Sequence, residues 1–477
     1  MDRAGFLYGS FLRNLPLEPT SCQDRMLRRT AEFLTEDDAD ILVVNGYAGT
    51  GKTTAVSAVI RTMRSLETPC VLLAPTGRSA KVLSSYTGMP ASTVHKHIYR
   101  QKSHGEDGFG RFELGFNKAK NTLFIVDEVS LLTNEDKSSL FAEGNVLNDL
   151  VSFVRSGAEC RLIFIGDSAQ LPPIGLEESP ALSQAYMDGF GGVRYTGLTT
   201  VVRQQKESGI LFNATRIRTI LEDPLFEDMP LDELGLRTDG FDDICRIGGG
   251  DLLETLSDAY SRFGEDETIV LCRSNKRAIR YNAGIRAQVQ YKEDRLVRGD
   301  RLMIVKNCYH FVDEVEGMDY IANGDIAKLI RISHFEERYG LNFAEARLSL
   351  PDYRDQELTA KVLLDTLESE SPSLSYELSN RLYQGVDADY SHIASKQKRY
   401  KEVREDPYFN ALQLKYANAI TCHKSQGGQW KCVFIDNAFW QDFLVADDLK
   451  WLYTALTRAV EKVYLVNFKD SLFKTDA

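Results

Sequence analysis

At 477 residues the chain is longer than one typical hydrophobic core supports, so about two to four lobes are expected. Hydrophobic residues make up 43% and charged residues 26%, a globular composition; no run approaches the roughly 20 apolar residues of a membrane span, and MDRAGFLYGS lacks a signal core, which points to the cytoplasm. The net charge of -12 excludes a global positive field as the means of drawing in a nucleic acid, so any polyanion must be held by backbone amides, hydroxyls and a few placed cations.

From residue 41 to about 175, the apolar runs ILVVN, CVLLAP, TLFIVD and RLIFIGD alternate with helix-like stretches. This is the pattern of an α/β parallel sheet, whose functional residues gather at the carboxyl ends of the strands. Between the second and third runs, RQKSHGEDGFGRFELGFNKAKN is polar and glycine-rich and reads as a small hairpin-like insertion. A second α/β pattern begins near VRYTGLTTVVRQ, continues through ETIVLCRSNKRAIRYNAGIR, and resumes at KCVFIDNAF and KVYLVNF. It is interrupted by residues 300–412, where RLMIVKNCY, YIANGDIAKLIRI and EARLSLP read as short strands with a turn at Asn323-Gly324, predicting a small barrel. The charged stretch 389–406, DYSHIASKQKRYKEVRED, reads as one helix with a solvated face. The eight cysteines are scattered without metal-ligand spacing and read as reduced thiols.

GYAGTGKTT follows the first apolar run and precedes a helix-like stretch, the setting that a GxxxxGK[ST] phosphate loop requires. Gly46, Ala48, Gly49, Thr50, Gly51, Lys52, Thr53 and Thr54 are therefore expected to line a nucleotide. Glycines let backbone amides face the phosphates, Lys52 neutralises the β- and γ-phosphates, and Thr53 offers a hydroxyl to Mg²⁺. In LFIVDEVS, Asp127 can hold Mg²⁺ and Glu128 can deprotonate the attacking water. ATP and Mg²⁺ are the implied substrate and cofactor.

A phosphate loop alone does not separate a switch from a motor. In GDSAQLPPIG, the carboxamide of Gln170 is suited to sense the γ-phosphate. Arg203 in LTTVVRQ and Arg458 in YTALTRA lie in the second α/β half, and an arginine's planar fork suits a γ-phosphate in its transition state. Two such fingers on another lobe make cleft closure depend on intact ATP.

The ordered blocks GYAGTGKTT, APTGRSAKVL, STVHKHIY, FIVDEVSLL, FIGDSAQLPPIG, LTTVVRQ, TCHKSQGGQW and YTALTRA resemble the helicases of superfamily 1, branch B, of the RecD-like, Dda-like and Pif1-like kinds. The resemblance implies two RecA-like lobes with ATP between them and single-stranded DNA crossing them, with movement from 5′ to 3′. On this reading residues 1–192 form the first lobe, with a pin insertion at 98–121; 193–299 and 413–477 form the second; and 300–412 is an SH3-like barrel. It implies that Gln23 reads adenine, that Gly427 touches the nucleotide, and that Thr76, Arg78, Thr93, His95, Thr421, His423 and Lys424 lie along the DNA. Hydroxyl, imidazole and cationic groups grip phosphates without reading sequence, as a motor that slides over any sequence requires. The pin is implied to split the duplex, with Phe109 or Phe112 stacking on the last base pair.

The implied partners are single-stranded and forked DNA, together with a single-strand-binding, recombination or replication protein, and the core is expected to be monomeric. SQGGQW carries two glycines where relatives often place one glycine before a polar residue and an acid. Two other readings stay open: an Upf1-like RNA or RNA–DNA helicase, and a nucleotide-dependent clamp that binds DNA without unwinding it.

Overall fold

The computed structural model describes residues 2–101, 112–134, 145–202, 207–312 and 321–474. Among the described residues, eight strands precede residue 200: β1 (Ile41–Gly46), β2 (Cys70–Ala74), β3 (Ala91–Thr93), β4 (Tyr99–Gln101), β5 (Phe112–Leu114), β6 (Leu123–Val126), β7 (Arg161–Gly166) and β8 (Val193–Leu198). Six of them form a parallel sheet in the order β3-β2-β6-β7-β1-β8. Its inner strands are continuous apolar runs because helices cover both faces: Ser21–Thr35 and Lys52–Ser65 on one side, Val146–Arg155 on the other. β4 and β5 pair antiparallel as a separate short hairpin.

The second lobe is built from β9 (Ile244–Ile247) and β10 (Thr268–Cys272). After a long excursion the chain returns to it with β16 (Ala419–Thr421), β17 (Trp430–Asp436) and β18 (Ala459–Val466). These strands make a second parallel sheet in the order β16-β10-β17-β18-β9. The excursion contains β11 (Arg301–Ile304), β12 (Ile326–Arg338), β13 (Leu341–Leu350), β14 (Gln356–Leu363) and β15 (Leu412–Tyr416), which close into a barrel around its own apolar core.

Three expectations are revised. Val193–Leu198, expected to open the second lobe, is the outer strand of the first sheet, parallel to β1, so the chain crosses between lobes after β8. The barrel strands β12 and β13 run to 13 and 10 residues rather than being short, because they continue as a hairpin beyond the barrel to a left-handed turn at Tyr339-Gly340. The stretch 389–406 divides into the end of helix Tyr376–Asp389 and a new helix, Lys396–Glu405, which Ser395 starts by accepting a hydrogen bond from the Lys398 amide. The turn at Asn323-Gly324 forms as expected, with Gly324 at φ 96°.

The two lobes meet along an apolar seam, where Ala169 and Leu171 of the first lobe join the core beneath β17. Leu171 is fully buried, which contributes about 1.5–3 kcal/mol to holding the lobes together. Among the described residues, no helix is long and apolar enough to cross a membrane.

Candidate nucleotide site and nucleic-acid interface

β1 runs into a turn in which Gly49 and Gly51 adopt φ 72° and 73°, and Gly51 then caps the 14-residue helix Lys52–Ser65. No side chain caps this helix, so its first amides face the turn, the arrangement that binds an anion. A Cβ on Gly46 would lie 3.0 Å from Lys52 Cδ, so the glycine makes room for the lysine stem. Thr50 is buried and donates from its hydroxyl to the Tyr47 carbonyl at 2.7 Å, closing the turn from within.

Gln23 braces the loop from behind. Its Oε1 accepts the Thr20 amide at 2.9 Å in a capping box, while its Nε2 donates to the Thr50 carbonyl at 3.0 Å. Its carboxamide is thus adjacent to the nucleotide loop and tied to it.

At the end of β6, Asp127 is half-buried and accepts hydrogen bonds from the Tyr86 hydroxyl at 2.7 Å and the Glu128 amide at 2.9 Å. Burial, and then the neighbouring Glu128 charge, raise its pKa, while Lys52 opposes the rise. Asp167, at the end of β7, is likewise raised by burial with Lys52 opposing. Glu128 sits in the left-handed region at φ 54° and ψ 38°, and its Oε2 is buried without a hydrogen-bond partner among the described residues. Gln170 has the same property at Oε1. Buried acceptors without a partner, just after the ends of β6 and β7, are the signature of a site made for a reacting group.

The opposite wall comes from the second lobe. Tyr453 in helix Ala446–Leu456 accepts the Ala48 amide at 2.8 Å and donates to Asp167 at 2.7 Å, joining the phosphate loop to the second strand end in one hydroxyl. Thr454 accepts the Leu171 amide at 2.8 Å, and Gln426 donates to the Leu171 carbonyl at 2.8 Å. Arg458 is only 4% exposed and donates to the carbonyls of Thr454 at 3.1 Å and Gly428 at 3.3 Å. Gly427, at φ 74°, lies against Ser79 of the first lobe, where a Cβ would collide with Ser79 Oγ. Arg203 and Phe109 lie outside the described residues; Val202, just before the former, donates its amide to the Gly49 carbonyl at 3.0 Å.

The residues expected along DNA cluster at two sheet edges. Thr93 ends β3 in register with Ala74 of β2, and Thr76 follows two residues later, so both hydroxyls stand at adjacent strand ends. Each caps a helix, Thr76 accepting from the Ser79 amide at 3.1 Å and Thr93 from the Lys96 amide at 3.3 Å. Thr421 ends β16 in register with Cys272 and starts a short helix without a side-chain cap bond. Both edges therefore carry the same order, Thr93-Val94-His95-Lys96 and Thr421-Cys422-His423-Lys424, a local duplication that singles out Lys96 as well. His95 lies 5.8 Å from the Tyr99 ring. Burial lowers the pKa of His423, with Asp447 opposing. Lys424 Nζ is buried without a hydrogen-bond partner among the described residues, and burial, then Lys415, brings its pKa down to about 8. Arg78 lies over the Trp430 ring, its Cζ 4.1 Å from the centroid. Phe112 opens β5 in the hairpin.

Tyr453 escapes sequence reasoning because a tyrosine in an apolar run reads as core, and Tyr86 because in SSYTG it reads as the polar end of a helix. The one signal for Tyr453 is its place inside the YTALTR block, five residues before Arg458.

A family model described as an AAA domain matches residues 23–219, and one described as a UvrD-like helicase C-terminal domain matches residues 416–466. The ATP-dependent RecD2 DNA helicase of Deinococcus radiodurans is 35% identical over 156 residues, which is 31% of this chain and 19% of that protein. The ATP-dependent DNA helicase dda of Enterobacteria phage T4 is 24% identical over 461 residues, covering 89% of this chain and 94% of that one. The chain thus spans about a fifth of the first relative and nearly all of the second. A solved structure of Pif1 helicases at forked duplex DNA superposes with a TM-score of 0.50 at 16% identity, covering 96% of this chain and 95% of the other. The chain thus carries an AAA domain and a UvrD-like helicase C-terminal domain, is similar in sequence to the RecD2 and dda helicases, and shares with the Pif1 structure a fold of two parallel sheets with a barrel set between strands of the second.

Proposed function

We propose that the protein is an ATP-dependent DNA helicase that moves from 5′ to 3′ along a single strand. The observation that carries this reading is the Tyr453 hydroxyl of the second lobe, which bonds both the phosphate loop at Ala48 and the strand end at Asp167 of the first, so that nucleotide chemistry bears directly on lobe closure.

The residues fit a magnesium nucleotide. Asp127 and Asp167 each feel the Lys52 ammonium and the Glu128 charge, leaving a surplus of carboxyl groups that calls for a cation. Among the described residues no group of three or more metal-binding side chains could hold an ion unaided, which suits Mg²⁺, an ion usually held by one or two carboxylates and the substrate's phosphates. Thr53 and Asp127 would hold it, and when bound it neutralises charge on the β- and γ-phosphates.

In this mechanism the open amides of the turn after Gly49 and the Lys52 ammonium cradle the phosphates. Glu128 orients the attacking water and accepts its proton at the unpartnered Oε2. Gln170, with its own unpartnered Oε1, follows the γ-phosphate, and Arg203 and Arg458 stabilise the transition state from the second lobe. Gln23 braces the loop and turns its edge toward adenine. Closure and reopening alternate the grip between the Thr76/Thr93 edge and the Thr421/Lys424 edge, producing steps along the strand.

The test is ATP hydrolysis and displacement of a labelled strand in the same reaction, with single-stranded DNA and RNA compared as stimulants. DNA-stimulated hydrolysis accompanied by strand displacement is expected. DNA binding without displacement would establish the clamp instead, and stronger stimulation by RNA would establish an RNA helicase.

A further inference from the structure

The doubled glycine of SQGGQW has a structural partner. Gly427 lies against Ser79 at the start of helix Gly77–Thr87, and a Cβ on Gly428 would fall 2.7 Å from both Cζ and Nε of Arg78 and 2.8 Å from Trp430 Cη2. The Arg78 guanidinium is therefore bracketed, with the Trp430 ring on one side and the Gly428 backbone close by. A planar cation on a buried indole is favourable, and a lysine cannot reproduce the flat contact.

This contact lies between the two halves of the site. On one side, Gly428 accepts from the Arg458 guanidinium at 3.3 Å, and Trp430 donates its amide to the Arg458 carbonyl at 2.9 Å. On the other, Arg78 belongs to the first turn of the helix that Thr76 caps, and Ser79 is hydrogen bonded to Thr76 through both its amide and its hydroxyl.

We propose that Arg78, Gly428 and Trp430 form an interlobe latch that transmits the state of the nucleotide, sensed at Arg458, to the DNA-facing Thr76, with Arg78 acting as a positioning residue instead of a phosphate ligand. The proposal rests on the helicase reading above. It accounts for glycine at 428, since any side chain there would displace the guanidinium from the indole.

The decisive experiment is a set of variants, Arg78→Ala, Arg78→Lys, Trp430→Phe and the Arg78→Ala/Trp430→Phe double, checked for folding by circular dichroism. The latch predicts that Arg78→Ala and Arg78→Lys lower DNA-stimulated kcat at saturating DNA at least fivefold. Single-strand affinity and its salt dependence should stay within about twofold of the parent, and the double variant should be no worse than Arg78→Ala. A phosphate-ligand role predicts the opposite: weaker binding, a salt slope reduced by about 0.7, and unchanged kcat at saturating DNA. That result, or effects that multiply in the double variant, would overturn the latch. A parent chain without DNA-stimulated hydrolysis would defeat the helicase reading separately. The contact is then judged by acrylamide quenching of tryptophan fluorescence in a Trp440→Phe background, which removes an exposed indole. Quenching should rise at least twofold on Arg78→Ala, and no change would contradict the latch.

Discussion

Glu128 adopts a backbone conformation that costs a non-glycine residue of order 1–3 kcal/mol, and it carries an unpartnered carboxylate oxygen just after the end of β6. Glu128→Gln keeps the shape and removes the base, so turnover should fall by about two to four orders of magnitude while a fluorescent ATP analogue still binds. Tyr453→Phe leaves the Ala48 amide and an Asp167 oxygen short of a partner in a buried seam. It should cost about 1–3 kcal/mol by thermal unfolding and raise KM for ATP severalfold. Lys424 gives the site a pH dependence. Its ammonium is the form that binds phosphate, and burial brings its pKa to about 8, so single-strand affinity should weaken between pH 7 and 9, with DNA binding taking up a proton. Stability moves the other way, because a lysine whose folded pKa is depressed binds fewer protons than the unfolded chain, and its burial penalty is relieved as pH rises through about 8. Anisotropy at constant ionic strength should show a flatter profile for Lys424→Arg. Lys52 and Glu128 are legible from local spacing. Tyr453 is not, since its hydroxyl partner at Ala48 lies 405 positions away.

Among the elements, the parallel sheets are legible because strands buried on both faces must be continuous apolar runs, whereas strand ownership is not. VRYTGL has an ordinary strand pattern, and only pairing with Ile41–Gly46 shows that it closes the first sheet. Thr76 and Thr93 look like helix caps and like phosphate contacts, and the two are compatible. When the Ser79 hydroxyl donates to it, Thr76 Oγ1 keeps its own hydrogen to offer to a phosphate oxygen. The hairpin of β4 and β5 has Gln101 opposite Phe112, so the intervening residues 102–111 can be replaced by Asn-Gly with the ladder preserved. If this insertion is the wedge, that variant should retain DNA-stimulated hydrolysis and lose most strand separation, as measured by ATPase and fork-unwinding assays run in parallel.

At the scale of the molecule, a chain of net charge -12 sets Lys96 and Lys424 at the two sheet edges and Arg78 between the lobes, consistent with DNA held by a local track. The barrel, inserted in the second lobe, also touches the first: Lys81 Nζ lies 3.3 Å from the centre of the Tyr353 ring, and Gly77 abuts Ala322. It thereby braces the helix that Thr76 starts. These interlobe contacts join residues hundreds of positions apart, which is why sequence blocks name the participants without showing how they couple. Unwinding of forks bearing only a 5′ tail or only a 3′ tail, in a single turnover with ATP, tests the central claim most directly. The 5′-tailed fork should be unwound and the 3′-tailed fork left intact; the reverse preference would contradict the direction of movement, and no unwinding of either would contradict the motor.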